Sequence, residues 1–494
     1  MKHLWRRLTV VAVAGSLMIA GGLGLSACST NPATGEQSFT AFMSQSDEME
    51  IGAEEHPKVM KEFGGAYEDT DVRRYVTSIG RFLASSSEMP DLSFTFTVLD
   101  SPVVNAFALP GGYVYVTRGL MALANSEAEL AGVVAHEIGH VTGRHTAQRY
   151  SQAVAASIGV NILSILVDNP ALSNLAGTGA QLYLLGFSRD QELEADRLGI
   201  RYLVRTGYDP MAMRSFLSQL EAESALSGKI AGKEGADPVP DLFRTHPRTA
   251  DRITQAAQEA RGQTNATLAW DREIYLKMID GLVWGDSPKQ GFIRGRQFSH
   301  PTLGFRFEVP PGFSLTNTEE AVVGEHENGS MLIFDGDAPP ENDLGMMWYL
   351  ANVWAEGREL SDKELITVNG MDAATGGLRL QRDGEWVDIR LIAYRFDAET
   401  IYRFMFVTPV GVSAALNEEL RRTTYSFRRL TDAEAAQLKP RRLKLVSVRS
   451  GDSHESLAQR MMVDDFPLET FQVINGLVAG QPLRVGQKVK LIVE

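Results

Sequence analysis

Two histidines four residues apart, with a glutamate after the first, stand in an apolar run: Glu129-Leu130-Ala131-Gly132-Val133-Val134-Ala135-His136-Glu137-Ile138-Gly139-His140. On a helix, His136 and His140 project from one face. Two imidazoles so placed can bind one zinc ion, and Glu137 then lies beside the open coordination position. Zinc lowers the pKa of a bound water, and a neighbouring carboxylate takes the proton as that water attacks a carbonyl. Val133, Val134 and Ile138 supply buried sides for the helix, while Gly132 and Gly139 permit close packing. The chain carries nine histidines among 494 residues, so a chance match of this kind is rare.

A third ligand must come from elsewhere. The stretch Phe187-Ser188-Arg189-Asp190-Gln191-Glu192-Leu193-Glu194-Ala195-Asp196 puts Glu192 and Asp196 on one helix face. Glu194 is turned roughly 200° from Glu192 and faces away. The pair suggests a division of work: Glu192 binds the metal, and Asp196 holds the ligand His136 from behind. His145 follows His140 by one helical turn and more. Helical rotation carries it to the far side from His136, so it is expected on the surface or packed behind the ligands.

The series HEIGHVTGRH, then SRDQELEAD, then Thr245-His246-Pro247 with Arg252-Ile253 resembles the M48 family of gluzincin metallopeptidases, over roughly residues 40–260. The resemblance implies a mainly α, zincin-like (α+β) peptidase domain, expected over 46–265, and one Zn2+ per chain. It implies His136, His140 and Glu192 as ligands, Glu137 as general base, and misfolded or unassembled envelope proteins as substrates. His246 is then a fourth residue of the site, either binding the metal and holding the enzyme latent or stabilising the oxyanion. Arg189 is a transition-state stabiliser or a salt-bridge partner of Glu194 or Asp196. Asn105, Ala106, Phe107 and Ala108 resemble the edge strand that pairs with an extended substrate. That strand and Tyr113–Val116 are predicted to form a hairpin about Pro110-Gly111-Gly112.

Elements on either side must position these residues. Helical spacing predicts two helices between Asp47 and Ser86. A strand is predicted at Phe94–Val98. Helices are predicted over Arg189–Arg205 and from there to Ser227. The apolar, small-residue stretch 152–187 is broken by Asp168-Asn169-Pro170, too soon for a comfortable membrane span. It reads as two helices over the site, forming a movable lid.

The first residues are a targeting segment. Lys2, Arg6 and Arg7 precede an apolar run from Leu8 to Ala27. Leu25-Ser26-Ala27-Cys28 resembles a bacterial lipobox, and Cys28 is the chain's one cysteine. This implies lipidation of Cys28 and attachment to a membrane. Ser29 after it points to the periplasmic side of the outer membrane. Residues 29–45 read as a polar tether. A net charge of −14 argues against a nucleic-acid partner.

After a helix expected over about Asp271–Gly285, aromatic and Val-rich alternations begin. They predict an α+β middle domain with an antiparallel sheet over 290–430, in which no cluster suggests chemistry. Residues 443–494 resemble a LysM module, a small βααβ domain, and the resemblance implies binding to glycans such as peptidoglycan. The whole is read as a lipid-anchored envelope endopeptidase. Two alternatives are a periplasmic chaperone or binding protein with a latent metal site, and a cell-wall amidase.

Overall fold

The structure, a computed structural model, describes residues 28–152, 154, 186–230, 246, 268–318, 321–342, 344–382 and 384–494. The expected signal segment before Cys28 and most of the expected lid lie outside these residues, as do Thr245, Pro247, Arg252 and Ile253. No described helix is long and apolar enough to cross a membrane. The chain is α+β and divides into two compact units. One comprises 283–442 with 462–465 and 492–494; the other holds the remainder.

The first unit opens on a hairpin, Cys28–Thr30 (β1) against Gln37–Phe39 (β2). This corrects the expectation of a free tether at 29–45. Asn31 is 2% exposed. Its amide donates to the Gly143 carbonyl at 3.3 Å and to Glu194 Oε1 at 2.7 Å. A buried amide requires such partners, so the segment is fixed to the domain. Helices Gln45–Glu62 (α1) and Thr70–Ser85 (α2) follow. Ser44 and Asp47 cap α1 reciprocally. Val72, Val76, Ile79 and Leu83 give α2 its buried stripe.

Thr95–Leu99 (β3), Ala106–Leu109 (β4) and Tyr113–Thr117 (β5) form a sheet in the order β3-β5-β4. Gly111 and Gly112 turn the β4–β5 hairpin at φ of 78° and 91°, values that suit glycine. A Cβ on Gly111 would lie 2.7 Å from Met49 Cα, so α1 rests directly on this turn. Arg118–Leu123 (α3) leads through a buried link to Glu127–Thr142 (α4). Among the described residues, Arg189–Thr206 (α5), Met211–Ile230 (α6) and Arg272–Met278 (α7) add to the helical layer. The helix expected to run to Gly285 ends early: Gly281 takes φ 91°, and Val283–Trp284 is extended.

The second unit begins with a meander of Phe292–Arg294 (β6), Gln297–His300 (β7) and Phe305–Glu308 (β8). Seven antiparallel strands follow: Phe313–Asn317 (β9), Ala321–His326 (β10), Met331–Asp337 (β11), Ser361–Val368 (β12), Met371–Arg382 (β13), Glu385–Arg395 (β14) and Ile401–Pro409 (β15). Their spatial order is β9-β10-β11-β15-β14-β13-β12. The helix Val410–Ser426 (α8) follows. Phe298, Phe305, Phe307, Phe334, Phe404 and Phe427 fill the core.

The C-terminal segment runs strand, helix, helix, strand: Arg441–Ser447 (β16), His454–Ala458 (α9), Pro467–Asn475 (α10) and Lys488–Val493 (β17). Most of it belongs to the first unit. Its Lys490 is 1% exposed, and its Nζ donates to the carbonyls of Ala122, Leu123 and Ala124 at 2.7, 3.2 and 2.8 Å. These are carbonyls that the end of α3 leaves without helical partners. The link from α3 to α4 is bound from other sides too. Glu129 accepts from the Asn125 N–H at 2.6 Å and from Gln219 Nε2 at 2.9 Å.

Candidate active site

Helix α4 begins at Ser126, whose hydroxyl accepts from the Glu129 N–H. It is buried on almost every side, so its register is fixed by packing rather than by one apolar stripe. Helix α5 begins at Ser188, which shares a reciprocal cap with Gln191. That start puts Glu192 in the first turn, where the helix dipole favours a negative charge. The two helices approach closely at Gly139 and Gly199. A Cβ on Gly139 would lie 2.9 Å from the Ala195 carbonyl oxygen, and one on Gly199 would lie 3.1 Å from His136 N. This approach brings the carboxylates of α5 to the imidazoles of α4.

His136, His140, Glu192 and His246 converge, all buried, with one potential donor atom from each within 4.8 Å of the others. His136 Nε2 is 3.0 Å from His140 Nε2 and 3.2 Å from His246 Nδ1. Glu192 Oε1 is 2.9 Å from His246 Nδ1 and 3.4 Å from His140 Nε2. Four donors about 2.0–2.2 Å from a tetrahedral zinc stand about 3.3–3.5 Å from one another. The measured separations run from 2.9 to 3.4 Å, and His136 Nε2 is 3.7 Å from Glu192 Oε2, so the donors stand on either side of that value. Three imidazoles with one carboxylate are donors that zinc accepts. Zinc is the cofactor this site fits. Glu137 is 1% exposed, with Oε1 3.5 Å from His246 Nε2.

A second ring of groups holds the ligands. Asp196 Oδ1 lies 3.0 Å from His136 Nδ1, which fixes that ring with Nε2 toward the metal position. His145, fully buried, places Nδ1 2.8 Å from His140 Nδ1. Its Nε2 is 3.6 Å from Glu194 Oε1, the carboxylate that Asn31 grips. Phe187 stacks on His140 with centroids 3.9 Å apart. Arg149 lies over Phe187 at 4.8 Å and feels the charge of Glu192. Burial, working against the hydrogen bond to Glu192, holds His140 well below the ordinary imidazole pKa. That favours the neutral, metal-binding form. Burial opposes the charge on Glu192, yet His246 and His140 hold its carboxyl well below the usual range.

The predicted residues thus fall into groups. His136, Glu137, His140, Glu192, Asp196 and His246 come together. Arg189 is exposed at the start of α5 and does not share their burial. Cys28 heads β1. Along the predicted substrate strand, the Thr117 N–H donates to the Asn105 carbonyl at 3.1 Å. Alternation in the antiparallel pair then turns the backbone N–H and C=O of Ala106 and Ala108 away from β5, toward the sheet edge. The Phe107 side chain instead packs inward on Tyr115, with centroids 4.9 Å apart. Of the two places expected for His145, the structure shows the one behind the ligands. The roles of Arg149 and Asn31 were not legible in sequence. Both depend on partners from distant segments, Glu194 for Asn31 and Phe187 for Arg149.

Residues 71–260 match the profile of peptidase family M48. The chain is 34% identical over 217 residues to the putative beta-barrel assembly-enhancing protease of Vibrio cholerae, covering 42% of this chain and 43% of that protein. It is 30% identical over 217 residues to the beta-barrel assembly-enhancing protease of Escherichia coli, with the same coverage of each chain. It is 34% identical over 176 residues to the mitochondrial metalloendopeptidase OMA1 of Arabidopsis thaliana, covering 35% of this chain and 33% of that one. The chain thus spans less than half the length of these relatives. The segment that holds the converged histidines, Glu137, Glu192 and Asp196 is the one that matches peptidase family M48.

Proposed function

We propose that this protein is a zinc-dependent endopeptidase of the bacterial cell envelope that cleaves misfolded or unassembled proteins. The observation that carries the reading is the convergence of His136, His140 and Glu192 with Glu137 beside them and Asp196 behind. Zinc, when bound, supplies a water of lowered pKa and polarises the scissile carbonyl. The protein's own groups do the rest. Glu137 takes the proton of the attacking water and returns it to the leaving amine. Asp196 and His145 keep the ligand rings oriented. The open backbone groups of Ala106 and Ala108 hold the substrate as an added strand, reading extended shape more than sequence. Such a site suits unfolded chains, and the names of the bacterial relatives support unassembled β-barrel proteins among them. Backbone pairing also favours a polypeptide over the amide links of a cell wall.

A second reading rests on His246. Its Nδ1 stands among the donors, where a catalytic site keeps a position open. His246 in that place holds the enzyme latent, and the protein binds clients without cutting them until His246 withdraws. Outside the peptidase segment, we assign Cys28 to lipid attachment on the periplasmic side of the outer membrane, supported by its lipobox-like context. We assign 443–494 to a LysM-like contact with peptidoglycan, supported by its element order.

The test is digestion of an unfolded protein by the zinc-loaded chain lacking residues 1–28, beside Glu137→Gln and with purified peptidoglycan as a parallel substrate. Cleavage of protein by the parent alone supports the endopeptidase. Two inert proteins that both retain zinc support latency, and His246→Ala then restores cleavage.

A further inference from the structure

We propose that a cavity beside His140 is a substrate subsite that selects an aliphatic side chain flanking the scissile bond. The inference deepens the endopeptidase reading and rests on it. The cavity has a volume of about 70 Å³ and lies between the helix and the edge strand that frame the chemistry, α1, and the connection from α2 to β3. Helix α4 contributes His140 and Val141, edge strand β4 contributes Ala108, and Met49, Met89 and Leu92 close the opposite wall.

Three features argue for a side-chain pocket. The first is continuity with the edge strand. Ala108 presents its backbone at the sheet edge and also lines the cavity. A strand added along β4 therefore passes the cavity mouth, and successive residues point to opposite faces. One residue in two is aimed at this side, close to a residue that holds the metal. The second is chemistry. The acid on the wall, Glu48, is engaged by Arg144 at 2.9 Å. It is thereby neutralised as a receptor for a basic side chain, and the remaining surface is largely aliphatic and thioether. The third is size. A cavity of ~150 Å³ holds benzene; this one is about half that, which favours leucine, valine or isoleucine over an aromatic ring.

The walls differ in stiffness. Val141 and Ala108 sit on packed elements, whereas Met49 is 50% exposed and both methionines are unbranched. Methionine adapts to irregular shapes, so the subsite grades aliphatic residues rather than demanding one. Aliphatic residues are buried in folded proteins. A strand that offers one at its edge announces a chain that has not folded, so the pocket adds a hydrophobic criterion to the backbone pairing.

The experiment profiles cleavage of a peptide library by the zinc-loaded protein. In parallel, fluorescent peptides are bound to the Glu137→Gln protein, a readout independent of turnover. The parent is expected to prefer Leu, Ile or Val over Lys or Glu at one flanking position by at least about tenfold. Met49→Lys, on an exposed site, should cut that preference and raise acceptance of Asp and Glu. Leu92→Trp, which fills the cavity, should shift acceptance toward Ala and Gly. Profiles and affinities unchanged in both variants would overturn the subsite. Aliphatic-selective binding that responds to Met49→Lys, without cleavage by the parent, would uphold the subsite and overturn the endopeptidase reading.

Discussion

His145 Nδ1 lies 2.8 Å from His140 Nδ1, and both rings are buried. One ligand histidine is therefore positioned by another histidine, while His136 is positioned by a carboxylate. Removing such a support typically costs about 10–100-fold in metal affinity. His145→Ala should weaken zinc binding by that order in a chelator-competition titration. An affinity equal to the parent's would show that His145 only fills space.

The crossing of α4 and α5 makes a contrasting pair of glycine predictions. At Gly139 a Cβ would meet backbone, Ala195 O at 2.9 Å. Gly139→Val should force the helices apart, lose roughly 1–3 kcal/mol of stability and release zinc more readily. At Gly132 the nearest atom would be Met213 Cα at 3.5 Å, an ordinary contact. Gly132→Ala should melt and bind zinc like the parent. Equal behaviour of the two variants would contradict the proposed role of the crossing.

Lys490 is the C-terminal segment's grip on the link before α4. Lys490→Met keeps the length of the side chain and deletes its three donors. Leu123 O keeps the Asn125 amide at 3.0 Å, but each buried acceptor left without a partner costs about 1–3 kcal/mol. Losing Nζ from Ala122 and Ala124 should therefore let urea unfold the first unit at a clearly lower midpoint. An unchanged midpoint would mean that water replaces Nζ at little cost.

Acid should weaken the second unit through His300. Burial pushes its imidazole down to about 4, and its Nδ1 accepts from the Leu303 N–H at 3.1 Å. The unfolded chain binds a proton near pH 6.5, the folded one only near 4. Stability therefore falls as pH drops from 6.5 toward 4 and levels off below. The loss should reach roughly 2 kcal/mol after allowance for screening. His300→Phe should flatten the profile over that window in thermal melts, and an identical slope would refute the assignment.

The site's inner residues were legible because their geometry is local. Four-residue spacing puts His136 with His140 and Glu192 with Asp196 whatever the tertiary fold, and the turn of α5 sends Glu194 the other way. What Glu194 meets there was hidden, because His145 and Asn31 arrive from other segments. Lys490 misled most. In the alternation Lys488-Val489-Lys490-Leu491 it reads as a solvent-facing strand residue, yet the link before α4 buries it. The polar composition of 29–45 suggested a tether for a related reason: one buried asparagine amide leaves no trace in composition.

The first unit is discontinuous in sequence: 443–461 and 466–491 return to it after 283–442 has formed a unit of its own. Synthesis runs from the N-terminus, so α4 and α5 leave the ribosome long before Lys490 does. Until that lysine arrives, the carbonyls of Ala122, Leu123 and Ala124 lack the donor that later ties them down. A nascent or truncated chain thus carries the chemistry of the site without its final brace. Bracing of the link that precedes the HExxH helix depends on a residue 368 positions after Ala122.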